Sequence, residues 1–102
     1  MSNDTKWTPG PWRVGPVDDT VVTAPDGSEI AAIDGDYNEP DLWPVMEANA
    51  RLIAAAPDLY AALESQMRAT TLALQSAGHS AQDVADCTAQ ARAALCKARG
   101  EP

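Results

Sequence analysis

The side chains able to do chemistry are few, and their spacing is unhelpful to catalysis. His79 is the only histidine, set beside Gly78 in a predicted turn. Without a positioned nucleophile and acid it reads as a surface residue. Cys87 and Cys96 lie nine residues apart. On one helix that spacing turns them about 180° from each other, with about 13.5 Å of rise. They cannot bridge in that helix, and one histidine with two misaligned thiols cannot complete a tetrahedral zinc site. Asp34, Asp36 and Asn38 begin like a calcium loop. The pattern then fails, because Glu39 and Val45 stand where glycine and glutamate are required. No glycine-rich phosphate loop or dinucleotide fingerprint occurs. The sequence therefore predicts a protein without enzyme activity, metal or cofactor.

What remains is binding chemistry, and it is lopsided. The net charge is −8, and nine acids fall between Val14 and Ala50 without a lysine or arginine among them. Asp18, Asp19, Asp34, Asp36, Glu39 and Asp41 are the candidates for an acidic binding face. Such a field repels nucleic acid and draws basic proteins. Its plainer use is as a solvated surface that keeps the protein soluble. A second candidate group is Arg13, Asn49 and Arg51. The two arginines border the acidic span and would hold an anionic ligand if they converged. Their ordinary use is salt bridging to the surplus acids. Tyr37, Trp43 and Tyr60 are candidate interface aromatics, although Trp43, between Leu42 and Pro44, suits sealing a helix start.

The elements that must position these residues form an α+β chain: a three-stranded antiparallel meander, then three helices, the last two an antiparallel pair. Residues 1–8 are polar and read as a flexible N-terminus. Residues 9–102 read as one domain, with the meander over 9–34, an acidic loop over 35–41 and helices over 42–99. Thr8-Pro9-Gly10-Pro11-Trp12 turns into a strand opened by Trp12, Val14 and Val17. Thr20–Ala24 and Glu29–Ile33 are strands joined by the turn Pro25-Asp26-Gly27-Ser28. A helix from Asp41 or Leu42 carries the stripe Val45, Ala48, Leu52 and Ala55 and is interrupted at Pro57. The second helix carries Leu59, Leu63, Met67 or Gln66, Thr70 and Leu74 and stops at Gly78. Ser80 and Asp83 start the third, with Val84, Cys87 or Thr88, Ala91, Leu95 and Ala98 inward, and Gly100 ends it. With no phenylalanine and much alanine, the core is thin, which favours a homo-oligomer. No apolar run is long enough to cross a bilayer, and Met1-Ser2-Asn3-Asp4 is polar and acidic, unlike a signal peptide, so a cytosolic protein with no membrane partner is expected.

Two stretches carry a resemblance. Thr8-Pro9-Gly10-Pro11-Trp12, followed by strands with Asp26-Gly27 and then by Asn49-Ala50-Arg51-Leu52-Ile53-Ala54-Ala55-Ala56-Pro57-Asp58-Leu59, resembles a family of small tailed-phage and prophage proteins. The likeness covers roughly residues 8 to 64. It implies a phage accessory product working in the host cytoplasm. In that setting an acidic protein is expected to counter host defence, binding and blocking an immune protein such as a CRISPR effector through its basic surface. An oligomeric sponge for a cyclic nucleotide signal, and a structural or regulatory accessory protein, are the alternatives.

Overall fold

The computed structural model describes residues 6–16, 18–34 and 40–101. It shows a three-stranded antiparallel sheet followed by three helices, as the pattern of β-branched pairs and helical stripes predicts. The strands are β1 (Arg13–Val14), β2 (Val21–Thr23) and β3 (Glu29–Ala32), in the spatial order β1-β2-β3. A 3-10 turn (Pro40–Leu42) leads into α1 (Trp43–Ala54), followed by α2 (Ala56–Ser76) and α3 (Ala81–Arg99). None of these helices is long and apolar enough to cross a membrane. Contacts cluster in two compact units, Trp7–Asp58 and a helical unit from Leu59 onward.

In the first unit, register decides which side chains meet α1. Val14 pairs with Val22 and Val22 with Ala31, so the three share one face of the sheet. Val22, Ala50 and Ala54 form the buried centre, with Trp12, Val14, Ile30, Ala31, Ile33 and Ile53 packed around it. The small Ala50 and Ala54 let the helix backbone come close to the sheet. An irregularity between Val22 and Thr23 gives β3 one extra residue, Ile30, which is how a bulge bends a strand over its cover. The β2–β3 turn closes through Ala24 N–H to the Ser28 carbonyl (2.8 Å), with Gly27 at φ +89°. Few residues besides glycine adopt that angle without strain.

The inward side of α1 differs from the expected stripe. Met46, Ala50 and Ala54 are buried, whereas Val45 and Leu52 are 56% and 65% exposed. The sheet accepts small residues at close range, and Ala50 and Ala54 meet it where Val45 and Leu52 do not. Pro57 does interrupt the helices: α1 caps at Ala55, and α2 starts at Ala56 with the proline in its first turn, where a missing N–H costs nothing.

The two proline-containing stretches meet within this unit. A Cβ placed on Gly10 would lie 2.9 Å from Pro57 Cβ and 3.3 Å from its Cγ. Trp12 joins the cluster around Ala50 and Ala54 while its indole N–H donates to the Thr8 carbonyl at 3.0 Å. The opening string thus packs on the helix string at Pro57.

The helical unit is a hairpin of α2 and α3 in close contact. Ser80 starts α3 as a capping box: its Oγ accepts from Asp83 N–H (3.1 Å), and the Asp83 carboxylate accepts from Ser80 N–H (3.4 Å). Gly100 ends the helix at φ 75°. Arg99 donates to the Tyr60 hydroxyl at 2.9 Å and pairs with Glu101 at 3.1 Å. That clasp joins the start of α2 to the end of α3, which fixes the pair as antiparallel. The core is slight: Thr88 and Leu95 are buried on α3, and no described residue of α2 is.

Candidate functional site

Strand topology sorts the acids. In a meander the β1–β2 connection and the far end of β3 lie at the same end of the sheet. Val21 pairs with Ala32, and Ile33 N–H donates to the Thr20 carbonyl at 2.8 Å. Asp18, Asp19 and Asp34 are therefore gathered at one end, although 15 residues separate the first from the last in sequence order. Asp26 sits in the β2–β3 turn at the opposite end. Asp36 and Glu39, two further candidates, lie outside the described residues, as do Tyr37, Asn38 and Val17. Asp41 is exposed in the 3-10 turn that precedes α1.

The gathered carboxylates are not equivalent. Asp18 Oδ1 accepts from the Thr20 hydroxyl at 2.6 Å and from Thr20 N–H at 2.8 Å. Thr20 itself is wholly buried. These bonds, the hydroxyl's first, favour the charged form and hold the Asp18 carboxyl below its ordinary value of 3.8. Asp18 is thus a strut of the turn. Asp26 repeats the device with the Ser28 hydroxyl (2.6 Å) and N–H (2.9 Å), and its carboxyl is lowered for the same reason. Asp19 and Asp34 are exposed. They can meet a partner without dismantling the sheet.

The second candidate group is dispersed. Arg51 reaches Glu47 one helical turn before it, at 3.9 Å. Asn49 is exposed in the middle of an unbroken α1. Arg13 projects from β1 opposite Thr23, on the sheet face away from Val14, Val22 and the helix. Of the aromatics, Trp43 is half-buried at the first position of α1, and Tyr60 is held in the Arg99 clasp. His79 is exposed and faces Asp83 at 3.5 Å. Among the described residues no group of three metal-ligating side chains comes together.

One surface groove occurs where the sequence offers no signal. It lies along α3, with a volume of about 610 Å³, between Arg92 and Lys97 over a floor of Ala89, Ala93 and Cys96. Its arginine is bound within its own helix: Nη2 donates to the Ala85 carbonyl at 2.7 Å and Nε to the Thr88 hydroxyl at 3.2 Å.

No curated protein and no solved structure matches the chain. A family model described as Salmonella phage P22 protein Y8K6 matches residues 1–102. That match runs through the α2–α3 hairpin, beyond the stretch in which the two signature strings lie. The chain belongs to the phage P22 Y8K6 protein family.

Proposed function

We propose that this phage protein is a non-enzymatic inhibitor of host defence, which binds a basic surface of a host immune protein through the acidic end of its sheet. The observation that carries the reading is the gathering of Asp18, Asp19 and Asp34 at one end of the meander; Asp36 and Glu39 follow Asp34 in the sequence. Carboxylates presented together occupy a groove built for phosphates and speed encounter with it. A nucleic-acid-binding effector, a CRISPR complex among them, offers such a groove. The bound partner sits in the host cytoplasm, and no catalysis is involved.

The cyclic-nucleotide sponge has weaker support. Arg51 is paired with Glu47 and Arg68 with Glu64 at 2.9 Å, so a phosphate would have to displace an acid from each. The test of the leading reading is inhibition of target-DNA binding by a purified CRISPR effector. Inhibition should weaken with salt and with Asp19→Lys/Asp34→Lys. A nucleotide panel in a thermal-shift assay tests the sponge, for which a ligand at 100 times its dissociation constant would add about 2.7 kcal/mol.

A further inference from the structure

The two outer strands of the sheet do not finish it alike. β1 is two residues long and lies between Pro11 and Pro16, which have no N–H to offer a further strand. β3 contains neither proline nor lysine, the residues that commonly guard an edge. Its irregularity, and its one charge, lie at the Glu29 end. From Ala31 onward the register is regular: Ala31 pairs with Val22, Ala32 with Val21, and Ile33 N–H donates to the Thr20 carbonyl at 2.8 Å. Antiparallel strands alternate bonded and non-bonded pairs. Val21 fixes the phase, because its carbonyl accepts from Gly15 N–H at 3.0 Å, on the side away from β3. The N–H and C=O of Ala32 therefore point outward, away from β2. Among the described residues no bond beyond the sheet ladder reaches either group, and Ala32 is exposed.

We propose, on the acidic-face reading given for the same end of the sheet, that this edge takes up an extended basic segment of the partner as a fourth strand, main chain to main chain at Ala32. The two faces of β3 specify the segment's side chains. Ala32 and Asp34 alternate onto the solvent face, and both are exposed. Ala31 and Ile33 are half-buried and pack around Val22, Ala50 and Ala54. A fourth strand thus sets a lysine or arginine beside Asp34 on one face and an apolar side chain beside Ile33 on the other, in alternation. Charge selects a basic segment over an acidic one. No lysine or arginine occurs between Val14 and Ala50 to repel it, and Arg13 stands on β1, at the far edge. Strand addition divides the work accordingly: main-chain bonds supply affinity, and alternate side chains supply specificity.

The probe is a short synthetic peptide of alternating lysine and valine, titrated into the isotope-labelled full chain. At saturation, hydrogen exchange of the Ala32 amide should slow about ten-fold or more. Ala32→Pro removes that N–H where an edge strand tolerates proline. It should keep the circular dichroism of the parent and weaken binding about ten-fold. Should the variant fail to fold, the exchange of Ala32 in the unmodified protein decides alone. The same peptide with glutamate in place of lysine should not bind. No binding of the lysine peptide at millimolar concentration would overturn the proposal, as would equal binding by folded Ala32→Pro. Binding that shifts Asp19 and Asp34 while Ala32 exchanges as before would overturn it too, yet leave the acidic face in place. Undiminished binding by Asp19→Lys/Asp34→Lys with Ala32 still protected would do the reverse, keeping the edge and removing the acidic reading.

Discussion

At the scale of single residues, the acids of this protein divide by what their oxygens already hold. Asp18 is lowered by Thr20 and Asp26 by Ser28. A carboxyl lowered on folding stabilises above its unfolded value, and the effect is lost as pH falls through the folded value. Asp18→Asn should therefore be less stable than the parent at pH 6, and the difference in Tm should shrink as pH drops below about 4. A difference that persists at low pH would show that the Thr20 bonds do not depend on the charge. Gly10 gives a steric counterpart. Its missing side chain is what lets the Thr8–Trp12 stretch lie on Pro57. The proline ring cannot swing away as a long side chain would. Gly10→Ala should cost about 1–3 kcal/mol by overpacking, read from urea denaturation. An unchanged midpoint would mean that the two stretches do not bear on each other.

Among the elements, the helices were the easiest to read from sequence and the inward faces the hardest. Ser80, Asp83 and Gly100 carry local chemistry that needs no tertiary context, and the structure places them as cap, capping partner and stop. Pro57 and Gly78 divide the helices for equally local reasons. The antiparallel meander follows from the β-branched pairs and the Asp26-Gly27 turn. The rotation of α1 was not legible, because Val45, Met46, Ala50 and Ile53 allow more than one apolar stripe. Only the close approach to Val22 selects Met46, Ala50 and Ala54. The gathering of Asp18 and Asp34 was hidden likewise, since it depends on strand register. The slight hairpin core makes its buried side chains sensitive. Leu95→Ala should cost about 2–5 kcal/mol by leaving a cavity, and Ser80→Ala about 1 kcal/mol by losing the cap. Thermal denaturation followed by helical circular dichroism measures both. A smaller effect for Leu95→Ala than for Ser80→Ala would contradict the placement of the core.

For the molecule as a whole, the division of charge is what links fold to proposed function. The nine acids between Val14 and Ala50 contain no base among them, and the three described ones at the end of the sheet are brought together by register. Membership of a phage family supplies the setting but leaves the partner to be found by binding. The most direct measurement is competition: a purified CRISPR effector, labelled target DNA, and the unmodified protein beside Asp19→Lys/Asp34→Lys. Both replaced side chains are exposed and leave the Asp18 turn intact. The account predicts that the unmodified protein displaces the DNA, less so at high salt, and that the doubly substituted protein does so at least about ten-fold more weakly, a loss of about 1.4 kcal/mol. Equal displacement by both proteins, or none by either, would contradict it.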